Sequence, residues 1–131
     1  MTASDITRWG GLPRIFVNVL DVNTLGERDS EVNDMYREMI TGLKEVARQQ
    51  RLVCFSGEIA ELGSCVWSEN QDARTKFNWA GFMLGVYHPD LMITGDSLEE
   101  GQLVISLQEN GFRSNGLSSV RAALRIRFGE D

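Results

Sequence analysis

Histidine occurs once, at His88, and cysteine and proline twice each in 131 residues. A lone histidine, with no second histidine or cysteine at ligand spacing, argues against a zinc centre. It also leaves a Ser-His-Asp triad only one possible base, and no nucleophile elbow accompanies it. His88 precedes Pro89 and reads as a turn residue. Cys54 and Cys65 match no zinc or redox spacing and cannot make a disulfide framework. They read as reduced thiols, which points to the cytoplasm. Basic residues are also few, 13 against 19 acidic ones, for a net charge of −6. That balance argues against a nucleic-acid partner, which calls for a basic stripe. It leaves room for a small phosphorylated ligand held by a few local groups. No apolar run approaches the ~18–20 residues of a membrane span, and no basic segment leads into an apolar one as a signal peptide would.

What is present is ordinary for a soluble globular domain: 42% apolar and 24% charged residues, with no repeat, linker or low-complexity segment. The length suits one domain with one real core. "RIFVNVLD" (Arg14–Asp21) reads as a mostly buried strand. After it the period changes. Val32, Met35, Tyr36, Met39, Ile40, Leu43, Val46 and Ala47 fall at helical steps, so one stripe of a long helix faces the core. Asp29 or Ser30 caps its start. "RLVCFSG" (Arg51–Gly57) reads as a second strand ending in a glycine turn, and Cys65–Trp67 as a third extended segment. Thr75–His88 is a long strand whose Gly81 and Gly85 mark a bend or a close backbone approach. Gly101–Gln108 is another strand, and Leu117, Val120, Leu124 and Phe128 form a helical stripe. The order β, α, β, β, β, β, α does not alternate strictly. It predicts an α+β fold, a mixed sheet packed against helices. No strand or helix precedes the Trp9–Pro13 turn, and the last helix stops at a charged "RFGED", so both ends read as edges of something longer.

Two places carry groups suited to a phosphorylated ligand. Asp5 lies shortly before Gly10-Gly11, and Glu58 follows Ser56-Gly57 with Glu61 three residues on. A carboxylate at a strand end beside a glycine can approach Mg²⁺, which needs only one or two carboxylates when phosphates and waters complete its shell. The alternative is a solvated loop glutamate and a capping aspartate. The second place is "ENGFRSNGLSSVRAAL" (Glu109–Leu124). Ser114 or Asn115 can cap a helix beginning near Gly116. The free N–H groups there attract an anion, and Arg113 adds a donor fork suited to phosphate. A capped helix with Arg113 in water accounts for the same residues equally well.

Three stretches, taken in order, resemble the aminoimidazole ribonucleotide (AIR) synthetase superfamily. "SDITRWGGLP" (Ser4–Pro13) resembles its Asp-Ile/Leu … Gly-Gly/Ala-x-Pro motif, and "FSGEIAELGS" (Phe55–Ser64) its Gly-Gly-Glu-Thr-Ala-Glu segment. The block Trp79–Leu124 is similar to its Ala-Gly-Phe strand, Gly-Asp-x-Leu-Ile strand and Gly-x-x-Ser-Asn-Gly turn into a helix. The last block is the specific one and points to the cyclo-ligase branch, which closes the imidazole ring of formylglycinamidine ribonucleotide with ATP.

The resemblance implies an N-terminal ATP-binding domain that dimerises through its sheet into a barrel, with nucleotide and Mg²⁺ near the interface. Residues 1–110 would be that domain, lacking its first elements. Residues 111–131 would be the hinge turn and first helix of a second, absent domain, so that this chain alone would be inactive. Carried over by position, Asp5 falls on the metal-binding aspartate and Glu58 on an acidic position facing Mg-ATP. Asn18 falls where an aspartate usually stands, and Ser114, Asn115 and Gly116 fall on the Ser-Asn-Gly turn. Ser56, Ile59 and Arg113 stand where the family has glycine, threonine and histidine. The departures leave two other readings: a nucleotide-binding or dimerisation domain without activity, and an ATP-dependent small-molecule kinase of the same superfamily.

Overall fold

Strand β1 (Leu12–Val22) runs through the middle of the molecule and organises it. The structure, a computed structural model, describes residues 1–113 and 115–129; Ser114, Glu130 and Asp131 lie outside the described residues. Helix α1 (Thr2–Thr7) precedes β1. Helix α2 (Glu31–Gln49) follows it and returns the chain to β2 (Val53–Glu61), which lies parallel to β1. A parallel pair needs such a crossover. A 3₁₀ turn at Gly63–Cys65 and a polar loop then lead to β3 (Phe77–Val86), antiparallel on the other side of β1. The sheet order is β2-β1-β3, a mixed sheet with helices and hence an α+β fold. Helix α3 (Leu117–Phe128) comes last.

Side chains alternate between the two faces of a sheet. Phe16, Asn18, Leu20 and Val22 of β1 therefore share one face with their in-register partners, among them Gly57 and Ile59 of β2 and Phe77 and Gly81 of β3. Helix α2 covers this face. Leu20, Val22 and Tyr36 form the buried cluster, with Leu25, Val32, Met35 and Met39 packed against it. Tyr36 meets Phe77 edge-on, ring centres 6.5 Å apart. The helix begins as its sequence dictates, with the Ser30 side chain accepting from the Asn33 backbone N–H.

Helix α1 lies over the other end of the same face. A side chain at Gly81 would strike the Phe16 ring at 2.7 Å, and one at Gly85 would strike Ile6 of α1 and the Leu12 carbonyl. The two glycines mark the close approach that their place in the strand suggested.

The opposite face carries Ile15, Val17, Val19, Phe82 and Leu84, and no element of the described chain packs on it. Phe82 is 60% exposed. Consequently the fully buried apolar set among the described residues is only Leu20, Val22, Tyr36 and Ala47, smaller than a chain of this length can support.

Several sequence expectations need correction. A helix precedes the glycine turn: α1 occupies the start that read as structureless. Strand β2 does not end at Gly57 but runs on to Glu61, because Gly57 serves the packing of Asn18 and not a turn. Cys65–Trp67 is not extended throughout, since the left-handed Gly63 (φ 57°) opens a 3₁₀ turn that includes Cys65. Gly101–Gln108 forms no strand. A strand exists through its ladder, and this segment pairs with no other; Leu103 and Val104 are 91% and 98% exposed. Val46 of the predicted core stripe is likewise exposed.

Candidate functional site

Asn18 is the polar break in the central strand, half-buried on the helix-covered face. Its in-register neighbours are Gly57 on β2 and Gly81 on β3, so neither flank covers it with a side chain of its own. Diagonally across β3, the Trp79 indole N–H donates to Asn18 Oδ1 at 3.0 Å. The amide nitrogen lies toward Gly57, where a Cβ would come within 3.0 Å of it. It has no hydrogen-bond partner among the described residues. Sequence reading singled out Asn18 but missed Trp79. Only the β1–β3 register brings the two together, and a tryptophan in an apolar strand otherwise reads as packing.

The Arg113 guanidinium is engaged within the chain. Nη1 pairs with Glu109 Oε1 at 3.2 Å, and Nη2 donates to Ser4 Oγ at 2.5 Å. Residues 109 positions apart in sequence thus meet, and the turn before α3 is tied to α1, one residue from Asp5. Asp5 itself is exposed on α1. Ser114 lies outside the described residues, and the cap of α3 is not Asn115. It is Gly116, in the left-handed conformation at φ 71°, which a glycine adopts without strain. Gly116 O accepts from Ser119 and Val120, while the first-turn N–H groups of Leu117 and Ser118 have no intrahelical acceptor.

Glu58 stands apart from these groups. It pairs in register with Val19, one residue along from the Asn18–Gly57 pair, and so faces the uncovered side of the sheet. Asp5, on the helix over the other face, does not share a site with Glu58 within one chain. No group of three or more histidine, cysteine, aspartate or glutamate residues able to hold a metal occurs among the described residues. Mg²⁺ needs only one protein carboxylate where phosphate oxygens and water complete its shell, and Asp5 and Glu58 are each exposed.

His88 accepts from the Asp90 backbone N–H and caps the short turn at Pro89–Leu91, as its place before proline suggested. Cys54 and Cys65 are exposed free thiols. Two open grooves of about 310 and 450 Å³ run between α2 and β2, sharing Ile40 in their lining, and neither reaches Asn18. No helix among the described residues is long and apolar enough to cross a membrane.

No family model matches the chain. Curated proteins do. A phosphoribosylformylglycinamidine cyclo-ligase of Bacillus pumilus is 32% identical over 131 residues, 100% of this chain and 34% of its own length. Those of Finegoldia magna and Bacillus subtilis are each 32% identical over 124 residues, 95% of this chain and 33% and 32% of their own lengths. The Bacillus pumilus match takes in Asp5, Asn18, Glu58 and Asn115, and the chain spans about a third of the length of the relatives it matches. In sequence the chain is similar to phosphoribosylformylglycinamidine cyclo-ligases along 92–100% of its length.

Proposed function

We propose that this chain is the nucleotide-side portion of an ATP-dependent ligase of purine biosynthesis, one that closes the imidazole ring of formylglycinamidine ribonucleotide to give aminoimidazole ribonucleotide. The observation that carries this reading is the match to cyclo-ligases along 92–100% of the chain. In the reaction, ATP transfers its terminal phosphoryl group to the formyl amide oxygen. The amidine nitrogen then attacks that carbon and phosphate leaves, with ring closure and loss of a proton. Such chemistry asks the protein mainly for positioning and charge neutralisation.

The residues at hand suit those tasks. Asn18 offers amide donors to the nucleotide. Arg113, tied to Ser4, stands three residues before the Gly116 cap of α3, whose open N–H groups suit a phosphate, and Ser114, Asn115 and Gly116 would line that place. Asp5 would hold Mg²⁺, which neutralises phosphate charge when bound. Glu58, on the open face, would act across a two-fold, and a second copy is the partner proposed for that face. Residues 1–110 would make up the nucleotide domain, and residues 111–131 would lead into a second one.

The test is turnover by the full-length protein. Formylglycinamidine ribonucleotide and ATP should yield aminoimidazole ribonucleotide, ADP and phosphate in equal amounts. Asp5→Asn should weaken Mg-ATP binding roughly tenfold, the worth of one charge-assisted contact. Nucleotide binding without ring closure would instead favour the non-catalytic reading. Phosphorylation of thiamine phosphate or selenide would favour the kinase.

A further inference from the structure

The Asn18 amide is oriented, and the orientation has a chemical consequence. An indole N–H only donates, so the atom it meets at 3.0 Å must be the amide oxygen of Asn18. With Oδ1 turned to Trp79, the group turned toward Gly57 is Nδ2, which carries two donors and no lone pair able to accept. Gly57 keeps that group uncovered, since a Cβ there would lie 3.0 Å from Nδ2. On the opposite flank, the space above Gly81 is already filled by the Phe16 ring and Thr2 of α1.

We infer that Trp79 is a positioning residue that locks the Asn18 side chain as a hydrogen-bond donor, so that this point of the site recognises an acceptor oxygen of the ligand, a phosphate oxygen of the nucleotide. The inference rests on the proposal that Asn18 faces the nucleotide. It predicts opposite behaviour for the amide and for an acid in the same place. A carboxylate at residue 18 would also accept from Trp79, but its second oxygen would face the phosphate, repel it, and be eased only by an intervening cation.

The experiment measures binding of ATP to the full-length protein by calorimetry, with and without Mg²⁺, for the native protein and the variants Trp79→Phe and Asn18→Asp. Trp79→Phe keeps a ring but removes the donor and frees the amide to rotate. It should weaken binding severalfold to tenfold. Asn18→Asp, nearly isosteric, should weaken metal-free ATP by tenfold or more, and Mg²⁺ should restore a larger share of its affinity than in the native protein. That change in metal dependence is not expected from a merely structural role. A ¹⁵N spectrum gives a second readout: the Trp79 indole N–H should shift in Asn18→Ala, and the Asn18 amide protons should shift on adding ATP. If the native protein binds ATP and both variants bind it equally well, with unchanged Mg²⁺ dependence, the positioning role is wrong while the nucleotide reading stands. If the native protein binds no ATP, that reading fails and the inference falls with it. Should Trp79→Phe unfold, Asn18→Asp alone decides between these outcomes.

Discussion

Tyr36 combines a residue's two tendencies in conflict. Its ring is 3% exposed, packed against Leu20, Val22 and Phe77, while its hydroxyl is buried without a hydrogen-bond partner. Leaving a buried hydroxyl unpaired costs about 1–3 kcal/mol. Tyr36→Phe should therefore leave stability unchanged or raise it by about 1 kcal/mol, read as a shift in the urea midpoint at constant slope. Desolvation pushes the phenol above its ordinary value of 10.0. The raised value means that the folded state keeps this proton when the unfolded chain has begun to lose it. The corresponding stability is complete below pH 10 and declines as pH rises beyond it. Tyr36→Phe should abolish that part of the alkaline loss.

At the scale of elements, spacing in β3 decides where α1 can sit. Gly81 and Gly85 recur on the helix-covered face, and α1 lowers Thr2 and Ile6 into the space they leave. Gly85→Ala would drive a methyl into Ile6 and to within 2.9 Å of the Leu12 carbonyl, which is backbone and cannot step aside. Overpacking of this kind typically costs about 1–3 kcal/mol. The expected outcome is a lower melting temperature together with faster amide exchange in Thr2–Thr7, while α2 keeps its protection. Equal exchange across both helices would show that α1 does not depend on the glycine. The loss would also loosen the Ser4–Arg113 contact, since Ser4 rides on α1.

For the whole molecule, the one-sided sheet is the dominant fact. Its uncovered face presents a continuous apolar strip, Ile15, Val17, Val19, Phe82 and Leu84, with Glu58 beside it. A mixed sheet with apolar residues on both faces gains most when both are buried. On the proposed pairing of two copies through this face, the protein should sediment as a dimer. Phe82→Glu with Leu84→Glu should yield the monomer, because two buried unpaired charges per copy are prohibitive. Sedimentation velocity reads this directly, and a monomeric native protein would remove the pairing. The exposed Leu103, Val104, Ile105 and Leu107, and the α3 stripe with Leu124 and Phe128, are apolar surface that the sheet does not cover either.

The local elements were legible in the sequence because their causes are local. The period of Val32 to Ala47 and the Ser30 cap define α2, and the apolar, β-branched run defines β1. The α+β class followed from element order, whereas Asn18 was marked only by the family resemblance, as the position where an aspartate usually stands. What depended on partners distant in sequence was not legible. Gly101–Gln108 has the composition of a strand, yet without a neighbouring ladder it forms none. Gly57 has the look of a turn, yet it lies mid-strand because the Asn18 amide occupies its side-chain space. Asp5 and Glu58 looked like members of one site. Alternation along β2 sends Glu58 to the face opposite α1. The contact of Trp79 with Asn18 arises from the register of two strands 61 residues apart. Residue type and period thus determined which segments became helix or strand. Only tertiary pairing decided which faces they share, because strand register and the side a residue turns to depend on the neighbour it meets.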